Sequence, residues 1–331
     1  MPIKKDHSEL PAPARASGSG WKPNSDPLWG PILVDHLKTL SPPREPKQRE
    51  YVSPSNALKC ARDLSYRSAG VEGSPMDPSG WWVTSFGTLV HGVLEEAAKL
   101  HYGPEHVTME ERIGSVQEDG SVLPEIVQVR DHAIPVIGYI DYRIHSPELS
   151  LAGDFKTVGG FAYKLAVGER GQAQGPKREH LIQAGIGALV RGSDMVGVTY
   201  LAKDAISMQV ARSKGFDEWQ RFISEWHVPL DEIRTEVEDE LIRMWQINRL
   251  VHEDGQLAAR KIPGIPAEIA SPKDGGWQKF DRYETPEGEV REVLVDSGSS
   301  WMCAYCSVQA NCIADGPGRV EFINPKERNS Q

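Results

Sequence analysis

Four polar side chains have the types that phosphodiester hydrolysis requires: His91, Asp141, Asp154 and Lys156. Two carboxylates and an imidazole suit a divalent cation such as Mg²⁺ or Mn²⁺. A bound cation can acidify a water molecule and neutralise the charge that builds on a phosphate. Lys156 lies two residues after Asp154, so on a strand both side chains share one face, where the lysine can orient or deprotonate that water. Together these residues predict metal-dependent cleavage of a phosphodiester.

Each of these residues also has an ordinary structural explanation. An isolated Asp-x-Lys on a strand is usually a surface ion pair, and a lone helix histidine is usually satisfied by its neighbours. The order along the chain favours the catalytic interpretation, because a helix histidine is followed by a strand aspartate, by Asp-x-Lys on a second strand and by Gln183 on a helix.

The elements that carry these residues follow from hydrophobic periodicity. A helix over 85–101 carries His91 and an apolar stripe of Phe86, Leu89, Val90, Val93, Leu94 and Ala97. Strands over 136–144 and 149–158 carry Asp141, Asp154 and Lys156, with Phe155 on the opposite face. The other predicted elements are a short helix that opens at 53–55 and carries Cys60, helices over 179–190, 217–226 and 230–254, and strands over 195–202, 205–211, 277–283 and 290–295.

The four cysteines have an unusual spacing, because Cys60 stands alone and Cys303, Cys306 and Cys312 form C-x2-C-x5-C. The polar N-terminus lacks the apolar core of a secretory signal, so we expect a cytoplasmic protein whose clustered thiols are ligands rather than disulfides. Four thiolates can bind zinc or a [4Fe–4S] cluster. Zinc ribbons usually bring two close pairs, so the spacing favours the cluster, and a simply buried Cys60 is the alternative.

Composition limits the classes of partner. The chain of 331 residues is 39% hydrophobic and 25% charged, as in an ordinary soluble globular protein, and it contains no apolar run near the ~18 residues of a membrane span. A net charge of −10 argues against a protein that coats nucleic acid non-specifically. A local basic groove can still hold phosphates, and the candidates are Lys164, Arg170, Lys177 and Arg178 unless they form a solvated loop.

Taken together, these pieces resemble the iron–sulfur, RecB-like branch of the PD-(D/E)xK nuclease superfamily. That branch includes CRISPR-associated RecB-like exonucleases, phage relatives and AddB-type nuclease domains. The matching pieces run in family order over about residues 50–315: Cys60-Ala-Arg62 with Tyr66, Gly87-x3-His91, Gly138-x2-Asp141, Gly153-Asp154-Phe155-Lys156-Thr157, Gln183 and the cysteine trio.

The resemblance implies an α/β, restriction-endonuclease-like core, in which a mixed central sheet is flanked by helices. It implies a structural [4Fe–4S] cluster that joins the N- and C-terminal segments through Cys60, Cys303, Cys306 and Cys312. The catalytic metal would be held by His91, Asp141, Asp154 and the backbone carbonyl of Phe155. Lys156 would be the catalytic lysine, and Gln183 would contact the active site or DNA.

The chain departs from the family pattern in two places. Asp154 stands where many members have a glutamate. The family often carries Gln-x3-Tyr, but here Gly187 follows Gln183 at that spacing, so the tyrosine's contact with DNA must be absent or come from Tyr163 or Tyr200. The expected organisation is a largely disordered tail and linker over 1–50, a nuclease domain over 51–315 with an elaboration at 215–298, and a tail over 316–331.

We therefore expect a Mg²⁺- or Mn²⁺-dependent DNA exonuclease that acts on single strands or duplex ends in recombination, repair or phage DNA processing. Trp81 and Trp82 are candidates for stacking on unpaired bases, although packing is their more common role. One alternative is an end-trimming nuclease that works with CRISPR adaptation proteins. Another is a non-catalytic iron–sulfur module that binds DNA.

Overall fold

The computed structural model describes residues 29–40, 47–103, 105–146, 149–263, 279–284, 290–296, 303, 306–316 and 318–322. The chain divides into two compact units, Met1–Pro42 and Pro43–Gln331. In the first unit a helix forms within the segment predicted as tail and linker. Residues 1–28 and 41–46 of the predicted tail and linker lie outside the described part of the chain.

The helices and strands have the following bounds. The helices are α1 (Trp29–Leu40), α2 (Ala61–Ala69), α3 (Pro78–Tyr102), α4 (Gly160–Ala166), α5 (Arg178–Arg191), α6 (Met208–Lys214), α7 (Leu230–His252) and α8 (Gln309–Asp315), with 3-10 turns at Pro54–Asn56 and Trp219–Arg221. The strands are β1 (Val107–Ile113), β2 (Ser115–Val116), β3 (Val122–Leu123), β4 (Glu125–Val129), β5 (His132–Val136), β6 (Gly138–His145), β7 (Ser150–Val158), β8 (Met195–Ala202), β9 (Ile223–Pro229), β10 (Gln256–Leu257), β11 (Lys279–Glu284), β12 (Val290–Asp296) and β13 (Val320–Glu321).

A five-stranded mixed sheet forms the centre of the second unit, in the order β1-β6-β7-β8-β9. Strands β7 and β8 are parallel, and the other neighbouring pairs are antiparallel. Helix α5 packs on β7 and β8 and on α7. The predicted mixed α/β architecture, with a central sheet flanked by helices, is confirmed.

The core lies around β7, β8 and α5. Leu151 and Ala152 are consecutive on β7 and both are fully buried, so the strand is covered on both faces. Gly185 lets α5 approach α7 closely, because a Cβ at this position would lie 2.6 Å from Cγ2 of Val237. Each fully buried aliphatic side chain here contributes roughly 1.5–3 kcal/mol through removal from water.

The elements nearest the predicted catalytic residues agree with prediction to within a few residues: β6, β7, β8, α5 and α7. Strands β11 and β12 also agree.

Among the described helices, none is long and apolar enough to cross a bilayer.

Three local predictions were wrong. Residues 205–211 do not form a strand, because Ser207 accepts a hydrogen bond from the backbone N–H of Val210 and caps α6. Residues 217–226 are not a helix, because Ile223 onward pairs with the outer edge of β8 as β9. Cys60 is not carried within a helix that opens at 53–55; it precedes Ala61 as the N-cap of α2, after a separate 3-10 turn.

The predicted stripe on the His91 helix does not enter the core. The side chains of Leu89 and Val93 are 71% and 67% exposed, and α3 has no fully buried residue. Phe86, Val90 and Leu94 of the same stripe are half-buried where α3 packs against β1 and β7, so the sheet covers the stripe only in part. Trp82 is also exposed on α3.

Candidate active site

Asp154, Lys156 and Gln183 meet on one face of the central sheet. Asp154 and Lys156 share a face of β7, and the Nζ of Lys156 lies 2.5 Å from Oδ2 of Asp154. Gln183 on α5 donates a hydrogen bond from Nε2 to Oδ1 of Asp154 at 2.7 Å. The packing of α5 on β7 therefore brings Gln183 to the Asp154–Lys156 pair, which the sequence places on a different predicted element.

The carboxyl group of Asp154 is buried, with only 4% of the residue exposed. Burial raises its pKa to about 7, the ammonium of Lys156 opposes that rise, and the charge of Asp141 adds to it. Oδ2 accepts no regular hydrogen bond from the described residues, although the Lys156 ammonium lies beside it. A cation near this oxygen would stabilise the ionised form.

His91, Glu110 and Asp141 form a second group beside it. One ligand atom from each lies within 4.8 Å of those of the other two. The imidazole lies between the carboxylates, with Nδ1 3.6 Å from Oε1 of Glu110 and Nε2 3.9 Å from Oδ2 of Asp141. A histidine and two carboxylates are suitable ligands for a divalent cation such as Mn²⁺.

Glu110 was missed by the sequence reasoning, which assigned no strand to 107–113. The β1–β6 register places Glu110 directly across from Asp141, between the pairs Met109–Tyr142 and Glu111–Ile140. Its φ of 52° lies in the left-handed region, a strained conformation for a residue with a side chain and one that clusters at functional sites. Two like charges facing across strands repel, so a cation between them would relieve that repulsion. One signal in the sequence could have indicated the missed strand. The predicted strand over 136–144 needs an antiparallel partner.

Phe155 connects the Asp154–Lys156–Gln183 group to the His91–Glu110–Asp141 group through its backbone and its ring. Its N–H donates to Oδ2 of Asp141 at 2.8 Å. Its ring stacks on Tyr142 with centroids 4.5 Å apart and meets the edge of the His91 ring at 5.6 Å. Phe155 therefore fixes the carboxylate of Asp141 and the imidazole of His91 next to the strand that carries Asp154.

Neither tyrosine suggested as a replacement for the missing family tyrosine can reach a bound strand. Tyr163 is fully buried and donates to the carbonyl of Gln220. Tyr200 is buried too, and its hydroxyl accepts from the N–H of Lys177 and bonds Nδ1 of His180. Residue 187, where the resembled family often has the tyrosine, is tightly packed, since a Cβ on Gly187 would lie 3.0 Å from Cγ1 of Ile140.

His180 is a second residue that the sequence reasoning missed. Burial lowers its pKa to about 3, with help from the charges of Lys156 and Lys177. The Tyr200 hydroxyl accepts from the backbone N–H of Lys177 and shares a hydrogen bond of 2.7 Å with Nδ1 of His180, in which the tautomer of the imidazole sets the donor. His180 lines the same cleft as Lys156 and Gln183 and presents a neutral imidazole there.

A cleft of about 850 Å³ runs from Lys156 and Gln183 to the four cysteines. Its basic lining differs from the predicted groove, because Lys164, Arg170 and Lys177 do not line it and only Arg178 of the predicted four does. The other cationic side chains along it are Lys59, Arg62, Arg67 and Arg260. Asp63, Glu179 and Glu236 also line the cleft, and Arg67 and Arg178 pair with two of these carboxylates, so cations exceed carboxylates along it without being unpaired throughout.

The cysteines are free thiols that line the far end of this cleft. Burial raises the pKa of Cys303 and of Cys306 to about 11, so both thiols keep their protons at neutral pH unless a metal centre binds them. Four cysteines lining one cleft are a donor set that fits a [4Fe–4S] cluster and also zinc.

Comparisons with known proteins give only distant structural likeness. No protein-family model matches the chain, and no curated protein matches it in sequence. The crystal structure of SSO0001 has 14% identity and a TM-score of 0.43, covering 86% of this chain and 96% of that chain. LHK-Exo in complex with dAMP has 12% identity and a TM-score of 0.34, covering 62% and 93%. The alkaline exonuclease LHK-Exo from Laribacter hongkongensis has 12% identity and a TM-score of 0.29, with the same coverage. The residue roles proposed below rest on the geometry of this chain.

Proposed function

We propose that the protein is a metal-dependent deoxyribonuclease that hydrolyses phosphodiester bonds in single-stranded DNA or at DNA ends. One observation carries the proposal: a buried carboxylate, Asp154, is held by Lys156 and Gln183 at one end of a basic cleft and beside a histidine–carboxylate group. A surface Asp–Lys pair would have neither the burial nor the second group of ligands.

His91, Glu110 and Asp141 would hold Mg²⁺ or Mn²⁺, with Asp154 and the carbonyl of Phe155 approaching from the neighbouring strand. The cation supplies acidity to a water molecule and neutralises charge on the phosphate. Gln183 fixes one oxygen of Asp154, so the other oxygen stays directed toward Lys156. The Lys156 ammonium would orient the water and stabilise the phosphate charge that develops during cleavage.

DNA is the proposed partner because the cleft beyond this site is lined by cations. Arg178 and Lys59 line the cleft together with the catalytic residues and the cysteines. Backbone phosphates of a bound strand would pair with these side chains, with Arg178 exchanging its present partner Glu236 for a phosphate. Binding of this kind depends on salt, because each phosphate contact releases counterions.

Cys60, Cys303, Cys306 and Cys312 would hold a [4Fe–4S] cluster at the other end of the cleft. It would cross-link Cys60, at the start of α2, to the C-terminal segment that contains α8, and so contribute to folding free energy. A brown protein with about four irons per chain after anaerobic purification is the expected finding.

Cleavage of end-labelled DNA tests the proposed function. The anaerobically purified protein is incubated with single- and double-stranded DNA in Mn²⁺, Mg²⁺ or EDTA, beside Asp154→Ala and the control Asp131→Ala, whose carboxylate is exposed on the β4–β5 turn. We expect metal-dependent cleavage by the wild type and by Asp131→Ala and none by Asp154→Ala. Cleavage that persists in EDTA or in Asp154→Ala would refute the metal site, and intact DNA under all conditions would refute the nuclease.

A further inference from the structure

One arginine contacts the cysteine site directly. Arg260 follows β10 and is half-buried at the wall of the cleft. Its Nε donates to Sγ of Cys312 at 3.0 Å, and its Nη2 donates to the backbone carbonyl of the same residue. The planar fork of the guanidinium therefore holds both the sulfur and the main chain of Cys312, a geometry that the single ammonium of a lysine cannot reproduce.

We propose that Arg260 is a positioning residue of the cysteine site, which orients Cys312 and stabilises the negative charge of the sulfur-bound cofactor. The proposal rests on the cofactor proposed above. Four cysteine thiolates bring four negative charges into a partly buried site, where uncompensated charge is costly. A charge-assisted hydrogen bond to one sulfur offsets part of that charge.

The charges around the site are asymmetric. Cys312 faces the guanidinium groups of Arg260 and Arg62, whereas the Sγ of Cys306 lies 3.9 Å from Oδ1 of Asp63. Lys59, beside Cys60, adds positive charge at the same wall. Hydrogen bonds to ligating sulfurs are one of the means by which a protein sets the reduction potential of an iron–sulfur cluster. A cationic donor favours the more negative, reduced form, so removal of Arg260 should lower that potential.

Two variants separate this role from ordinary packing. Arg260→Met removes the charge and both hydrogen bonds but keeps an unbranched side chain, and Arg260→Lys keeps the charge without the fork. Arg249→Met is the control, because Arg249 lies on the exposed side of α7 and pairs with Glu253. Each holoprotein is titrated anaerobically with dithionite, which supplies the electron, and the visible absorbance and EPR signal are followed.

The expected result is a more negative midpoint potential in Arg260→Met, partial recovery in Arg260→Lys and no shift in Arg249→Met. When a chelator is added, the visible absorbance of Arg260→Met should decay roughly tenfold faster than that of the wild type. Removal of residues that support metal ligands typically weakens metal binding by this factor. A purely structural role would lower the melting temperature without moving the potential. Wild-type potential and bleaching rate in Arg260→Met would overturn the inference, whereas a colourless, iron-free wild type would refute the cofactor itself.

Discussion

At the residue scale, the site combines groups whose requirements conflict. Asp154 must be ionised to bind a cation, yet its burial favours the protonated form. The positive charge of Lys156 beside Oδ2 and the hydrogen bond from Gln183 to Oδ1 reduce that conflict. His91 and Glu110 gather beside Asp141 on a strained segment of β1. A buried carboxylate and a residue with positive φ both lower the stability of the fold. Features of this kind are typical of functional sites, where activity requires them.

Glu110→Gln tests the unexpected ligand. The substitution removes one negative charge from the His91 group without changing the shape of a half-exposed side chain, so the fold should be unaffected. We expect Mn²⁺ affinity to fall roughly tenfold, which is about 1.4 kcal/mol, measured by calorimetry or by EPR of free Mn²⁺. Glu118→Gln, on an exposed turn, is the matched control. Equal affinity in both variants would exclude Glu110 from the metal site.

His180 predicts a loss of stability in mild acid. The folded chain keeps this imidazole neutral down to a pKa of about 3, whereas the unfolded chain takes up a proton near the ordinary value of 6.5. The unfolded state therefore binds more protons between these values, and stability falls as pH decreases through this window. From pH 7 to pH 5 this imidazole alone lowers stability by about 1–2 kcal/mol. Asp154, whose pKa in the folded chain is raised to about 7, acts in the opposite direction, so the effect of His180 is the difference between the wild type and a His180 variant.

Urea unfolding at the two pH values measures that loss. His180→Gln should lose less stability on acidification than the wild type, whereas His106→Gln, exposed near the start of β1, should match the wild type. If His180→Gln and the wild type lose the same amount, the imidazole is not held neutral by burial.

At the element scale, helices and strands with strong hydrophobic periodicity were predicted from the sequence. Strands that form because a distant strand pairs with them were missed. β7 and β8 are buried apolar runs, and α5 and α7 have clear apolar faces, so local pattern and tertiary structure agree. β9 is a strand because the edge of β8 pairs with it, and β1 places Glu110 opposite Asp141 through its register. Both depend on long-range pairing that no local window contains. Asp141, Asp154, Lys156 and Gln183 could be proposed from their order along the chain and from the family resemblance, whereas Glu110 and His180 needed the register and the packing.

Restoring the family tyrosine should be costly in this chain. A Cβ at residue 187 already lies 3.0 Å from Cγ1 of Ile140, so Gly187→Tyr must push α5 away from β6. We expect the free energy of unfolding to fall by about 1–3 kcal/mol, as for overpacked cores, in chemical denaturation. Gly92→Tyr is the control, because a Cβ there meets nothing within 4 Å. A Gly187→Tyr variant as stable as Gly92→Tyr would mean that α5 can shift freely.

At the scale of the whole second unit, α2 is tied to the C-terminal segment by an apolar cluster that contains Tyr66, Ala69 and Val308, and among the described residues by two polar connections. One is the cysteine site. The other consists of protein groups alone: the guanidinium of Arg62, which is 1% exposed, donates to the carbonyls of Ala258 and Gly318, and the hydroxyl of Tyr66 donates to Asp315. The proposed cluster therefore reinforces a junction that the chain also forms by itself.

Cys306→Ala tests how much the cysteine site contributes to stability compared with the Arg62 network. We expect loss of the visible absorbance, a melting temperature lower by several degrees and reduced DNA cleavage, while the variant still unfolds cooperatively because the Arg62 network remains. Calorimetry, iron content and cleavage rate on one preparation measure all three. A colourless variant with wild-type melting temperature and cleavage would contradict a structural role for the cluster.

The most direct measurement of the central claim is cleavage by Asp154→Asn in Mn²⁺, under single-turnover conditions and beside its melting temperature. Asparagine keeps the size of the side chain and an oxygen for the Gln183 hydrogen bond, but it removes the buried charge. We predict that the cleavage rate falls by at least about 100-fold, while the melting temperature at pH 8 does not decrease, because the buried carboxylate was costly to ionise. Cleavage at the wild-type rate by a folded Asp154→Asn would contradict the proposed active site.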